Sequence, residues 1–290
     1  MKSFKVILTV ALAAFIINGA PAYAVDPDPG TYRSKTSGQW DSAGNWEVDD
    51  GGWRDADDYP RTGDTATILK SHVIHIISNT DDIHTLTLER GDASNAAAIL
   101  ELRDAGNLNV GSSLTAETDA TYPAMVKFVA TGAQTRPELR SIAIPATISG
   151  MVKATGDKGG VIARTSLNTF TLNSGAEILA AGGDITISAP LEIDGTVRAS
   201  NVGATGYTVT FSAAPKAASD GLLHVDHANA TIAFGNGSAR TFTGALDIKL
   251  EDGTIDVQDN IELAGGVEFT KGFIKVVNGK QFKKTGSYTH

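Results

Sequence analysis

The chain has 290 residues, no cysteine, 31 glycines and a formal net charge of −9. Without cysteine no disulfide framework can hold it, so burial and backbone hydrogen bonding must, and a chain of this length can build the core required. The dispersed acidic excess argues against nucleic acid or anionic lipid as an electrostatic partner.

Taken from the start, Lys2 and Lys5 precede an uncharged run from Val6 to Ile17, broken by Asn18, Gly19 and Pro21 and followed by Ala22-Tyr23-Ala24. This pattern predicts a secretory signal peptide over residues 1–24, cleaved after Ala24 and too short to span a bilayer. Loss of the two lysines would leave residues 25–290 with a charge of −11. No later stretch is long and apolar enough to span a membrane as a helix, so no integral membrane segment is expected after cleavage. Export to the extracellular space, cell surface or periplasm is the expectation, and the absence of cysteine suits a bacterial host.

Residues 25–64 form the next unit, rich in Asp, Gly and Pro and carrying all three tryptophans. A stack of strands exposes unpaired backbone and apolar core at its ends, so this segment is expected to be an N-terminal cap. Trp40 and Trp46 are its expected plug. Trp53, with Tyr59 nearby, is the better candidate for a glycan contact, because exposed aromatic faces stack on sugars. Asp49, Asp50, Asp55, Asp57 and Asp58 form an acidic knot. Asp55, Asp57 and Asp58 could hold Ca²⁺ through hard oxygen ligands, although their spacing matches no EF-hand and a solvated acidic loop is the plainer reading. No other cofactor is expected.

From Thr65 onward the sequence alternates apolar and polar residues in short runs, such as Thr67-Ile68-Leu69, Val73-Ile74-His75-Ile76 and Ile99-Leu100-Glu101-Leu102. Each run predicts a half-buried strand. A Gly followed by apolar residues two and four places on recurs at Gly150, Gly195, Gly221, Gly253 and Gly272, and Gly175 fits with one residue inserted. The intervals are 25, 20, 26, 32 and 19 residues. Two or three short strands per repeat of this length predict a right-handed parallel β-solenoid over residues 65–290, of roughly ten coils and on the order of 50 Å long. A β-sandwich is the competing architecture.

The segment Ser37-Gly38-Gln39-Trp40-Asp41-Ser42-Ala43-Gly44-Asn45-Trp46 and the later Pro60-Arg61-Thr62-Gly63-Asp64-Thr65-Ala66-Thr67-Ile68 together resemble the opening of secreted bacterial right-handed β-helix proteins of the adhesin-like and autotransporter-passenger-like kind. The resemblance implies a capped β-helix at the cell surface and says almost nothing about activity. The membrane barrel that ends an autotransporter does not follow.

Outward charges such as Glu177, Glu192, Asp194, Asp247, Asp256, Glu262 and Glu268, with Lys153, Arg198 and Lys275, are what any solvated strand face needs, and none is singled out as catalytic. His224-Val225-Asp226-His227 and His72-Val73-Ile74-His75 hold the only close histidine pairs, read as surface residues. The expected function is therefore a non-enzymatic surface or matrix protein, adhesive or self-assembling, with itself or a cell-surface or matrix polysaccharide as partner. The last strand, around Phe282, is the expected assembly edge. A β-helix polysaccharide lyase or hydrolase, or a glycan-binding module, is the alternative, and the irregular stretch from about Thr115 to Pro137 is where an active site would be sought.

Overall fold

The structure, a computed structural model, describes residues 29–130, 136–141, 146–156, 159–164, 170–215, 219–235, 241–285 and 288–289. The expected signal peptide lies outside the described residues. The chain is all-β: among the described residues there is no α-helix, only one 3₁₀ turn at Ala43–Asn45. Twenty-five strands join one sheet, and small sheets of two and three strands complete the set. Pairing is parallel except where Thr31–Ser34, Trp46–Asp49 and Trp53–Asp55 run antiparallel near the start, and in the ribbon Asn201–Val202 with Thr205–Gly206.

Strands pair with others well removed in sequence and fall into three ladders that the chain visits in turn. One contains Val73–Ile76, Ile99–Leu102, Met125–Phe128, Met151–Ala154, Glu177–Ala180 and Thr196–Ala199. Its register carries on through Leu222 and Asp247. A second contains Thr65–Ile68, residues 85–88 and 113–116, Ala146–Ser149, Phe170–Leu172 and Leu191–Ile193. A third runs through Glu138–Ser141, Gly160–Arg164, Ile185–Ile187, Thr208–Phe211, residues 231–234 and 254–257, and Phe273–Val276.

The alternation seen in sequence sets this register. Leu100, Val126, Val152, Ile178, Val197, Leu223 and Ile248 are successive partners on one ladder, and all are buried. A slip of one residue in any strand would turn its apolar set to water and its polar set inward. On the third ladder Phe211 and Phe234 are register partners whose rings stack at 5.3 Å and 7°. All the ladders feed one contiguous core.

The glycine repeat mixes two ladders. Gly150, Gly175, Gly195 and Gly221 lie before strands of the same ladder, whereas Gly253 and Gly272 open strands of the third. The partner of Leu222 is Asp247, 25 residues on, so the 32-residue interval marks a change of ladder and not a longer repeat. Five of the six are crowded by a backbone carbonyl, whereas a Cβ on Gly175 would meet nothing within 4 Å and its φ of 78° is the constraint there. A Cβ on Gly150 would collide with the carbonyl of Ala116, and one on Gly253 with the carbonyl of His227; both glycines also have positive φ, 85° and 93°.

The N-terminal motif has a local explanation. Asp64 is buried and accepts the N–H groups of Gly30 and Arg61, both at 2.6 Å, which ties the first strand to the turn before Thr65. Asn45 donates to the Gln39 carbonyl at 2.7 Å and lies where a Cβ on Gly38 would sit.

Candidate functional site

Trp40 and Trp46 are buried, with ring centres 4.9 Å apart in an edge-to-face contact. Trp46 Nε1 donates to the Trp40 carbonyl at 2.8 Å and Trp40 Nε1 to the Pro60 carbonyl at 3.2 Å, so neither indole N–H is left unpaired in the core. Trp53 is 41% exposed beneath the Arg33 guanidinium, 4.2 Å from the ring centre. Tyr59 is half-buried under Arg61 and borders a small cleft of about 60 Å³ with Trp40 and His75. Trp53 is not among the residues lining that cleft, so the structure does not bring the two candidate glycan contacts together there.

Each candidate Ca²⁺ ligand faces a cation: Asp55 meets Lys35 at 2.5 Å, Asp57 meets Arg54 at 3.4 Å and Asp58 meets Arg61 at 2.6 Å. No group of three potential ligands with metal-binding geometry occurs among the described residues. Phe282 pairs in register with Ile261 and packs half-buried against the core, while Phe273, in the last described strand of its ladder, is 73% exposed.

Outward charges on neighbouring rungs form ion pairs. Arg198 Nε lies 2.9 Å from Glu177 and 3.8 Å from Asp226, and His224 Nε2 lies 3.4 Å from Glu251, which also pairs with Lys249 at 2.6 Å. His224 and Asp226 thus belong to a cross-rung network. His72 and His75 do not meet: His72 Nδ1 pairs with Ser34 Oγ at 2.7 Å, and His75 stands 3.2 Å from Glu101. Burial, reinforced by Arg103, pushes the His75 imidazole below its ordinary range against the weaker pull of Glu101.

A concavity of the described residues lies at a corner. Two polar depressions of about 500 Å³ each share Arg90 and Glu117 and form one shallow groove. Two corner loops of matching construction build it. Glu89 accepts the Lys70 N–H and Glu117 the Arg90 N–H, each at 3.1 Å. Lys70 then pairs with Asp92 at 2.7 Å, and Arg90 with Asp119 at 3.5 Å. Each Asp closes its own turn: Asp92 accepts the N–H of Ser94 and Asn95, Asp119 those of Thr121 and Tyr122. The loops are tied by Gly91 N–H donating to the Tyr122 carbonyl at 2.9 Å. Sequence reasoning pointed to the stretch after Thr115 but missed the first loop and the pairing. The available signal was the recurrence of Glu and Asp with Ser or Thr two places after the Asp, once in each corner.

The electrostatics favour holding over proton transfer. Lys70 and the turn amides hold the Asp92 carboxyl well below the usual carboxylate range, and the Thr121 and Tyr122 amides lower Asp119. Neither is a proton donor near neutral pH. Asp194 moves the other way, raised by desolvation and by Asp220 beside it, at an exposed position. No family model, no curated protein and no solved structure matches the chain.

Proposed function

We propose that this chain is a right-handed parallel β-solenoid, exported to the cell surface or extracellular matrix, that acts as a non-enzymatic adhesive or self-assembling scaffold. The observation that carries the proposal is the pairing: three ladders, visited in turn, keep one parallel register across most of the described chain. Repeating units that contact mainly their neighbours suit extended surfaces. Self-association belongs to the same reading. Phe282–Lys284 and Phe273–Val276 each have a single ladder neighbour among the described residues, and Phe273 and Val276 are exposed. A strand with a free edge and apolar side chains is a template for another strand.

The alternative, a β-helix polysaccharide lyase or hydrolase, needs a carboxyl able to give or take a proton in a walled cleft. Asp194 beside Asp220 comes nearest to that requirement, but stands at an exposed position. The two readings separate when the purified chain is incubated with a polysaccharide panel, with and without Ca²⁺, while its size is followed by light scattering. Concentration-dependent association or polymer binding without new chain ends is expected. Cleavage products would contradict the scaffold.

A further inference from the structure

We propose that the corner groove bearing Arg90, Glu117 and Tyr122 is a binding site for an uncharged, polyhydroxylated polysaccharide lying along the stack. The inference rests on the adhesive-scaffold reading and gives it a ligand class and a place.

Three observations converge. The first is periodicity. Thr67, Thr87, Thr115 and Ser149 are register partners on one ladder, so one outward hydroxyl repeats on four successive strands, about 4.8 Å apart. Hydroxyls of Thr67, Thr87 and Thr115 have no side-chain hydrogen bond within the described residues, and Thr115 and Ser149 line the groove. A rung spacing near the rise of one sugar ring in an extended pyranose chain lets successive residues of one polymer meet equivalent groups.

The second observation is the wall. Tyr122 lines the groove and is 38% exposed, and its backbone is fixed by the Asp119 turn and by Gly91. The partly exposed ring offers an apolar face for a sugar, and the fixed backbone lowers the cost of ordering it. Beside it, Arg90 supplies donors and Glu117 and Asp119 supply acceptors, the mixture that adjacent sugar hydroxyls need.

The third is charge. The cations of the groove are already matched, Lys70 to Asp92 and Arg90 to Asp119. A polyanion would have to displace those carboxylates and would also meet Glu89 and Glu117. A neutral polymer can bind through hydroxyls and leave the pairs intact.

The test is binding of the intact chain to soluble neutral β-glucan and galactomannan, an anionic polyuronate and cationic chitosan, by affinity electrophoresis and titration calorimetry. Tyr122→Ala and Arg90→Ala are expected to weaken binding to at least one neutral polymer about tenfold each, the loss typical of a central contact. Trp53→Ala should leave it unchanged. Thr115→Tyr, which fills the groove floor without removing a corner contact, should block binding while the melting temperature and far-ultraviolet spectrum stay those of the parent. No binding to any neutral polymer, binding of the charged polymers alone, or a loss that follows Trp53 and not Tyr122 would overturn the groove assignment. Polymer cleavage by the parent chain would instead overturn the scaffold reading, and the same variants would still decide where the polymer sits.

Discussion

Gly150 shows how little freedom a corner leaves. Its φ of 85° disfavours any side chain, and the Ala116 carbonyl occupies the place a Cβ would take. Gly150→Ala should therefore cost at least about 2 kcal/mol in chemical denaturation, combining left-handed strain with a clash that only a backbone shift can relieve. Phe234→Ala removes one partner of a buried ring stack and should cost about 3–5 kcal/mol. His75 gives a pH signature. Its folded pKa lies below the ordinary value of 6.5, because burial disfavours the imidazolium. The unfolded chain therefore takes up the proton first, so stability is full above about pH 6.5 and declines as pH falls toward the folded value. His75→Gln should flatten that slope in melting temperature measured between pH 7.5 and 5; an unchanged slope would assign it elsewhere. Asp64 shows what a motif can and cannot reveal. Its place in a Gly-Asp pair marked it as part of an opening, but its two backbone partners, Gly30 and Arg61, are visible only in three dimensions.

Among the elements, short strands were legible because alternation is local, and the half-buried pattern recurs in strand after strand. Which strands pair was less legible. The glycine pattern stands before strands of two ladders and could not say to which each belonged, because crowding by a backbone carbonyl occurs on both. The corner loop at 89–98, and its likeness to the one at 117–124, were missed for another reason: the likeness lies mainly in which backbone N–H each acid accepts, and most flanking residues differ. The cross-rung network is similarly hidden, since Glu177, Arg198 and Asp226 are distant in sequence. Arg198→Ala should destabilise by about 1 kcal/mol or less, because the three side chains stay partly exposed and Glu177 and Asp226 are left as like charges. Added salt should shrink the difference; a salt-independent loss would mean that Arg198 acts through packing.

For the whole molecule, parallel pairing in a fixed register places the outward hydroxyls and the corner groove. Composition limited the partners, and the resemblance at the N-terminus pointed to the surface of a cell. Neither could identify a ligand, because the two loops of the groove are brought together only by the pairing of the strands that flank them. The chain contains no cysteine, so paired cysteines report on stacking without background. Lys127 and Lys153 are outward register partners on adjacent rungs, whereas Lys127 and Arg198 are register positions three steps apart on the same ladder. A short bifunctional thiol reagent that fluoresces only when both its ends react should join Lys127→Cys to Lys153→Cys, about 4.8 Å apart along the stack. It should fail to join Lys127→Cys to Arg198→Cys, roughly three rungs away. Intramolecular joining of the second pair, or none of the first, would contradict the stacked register.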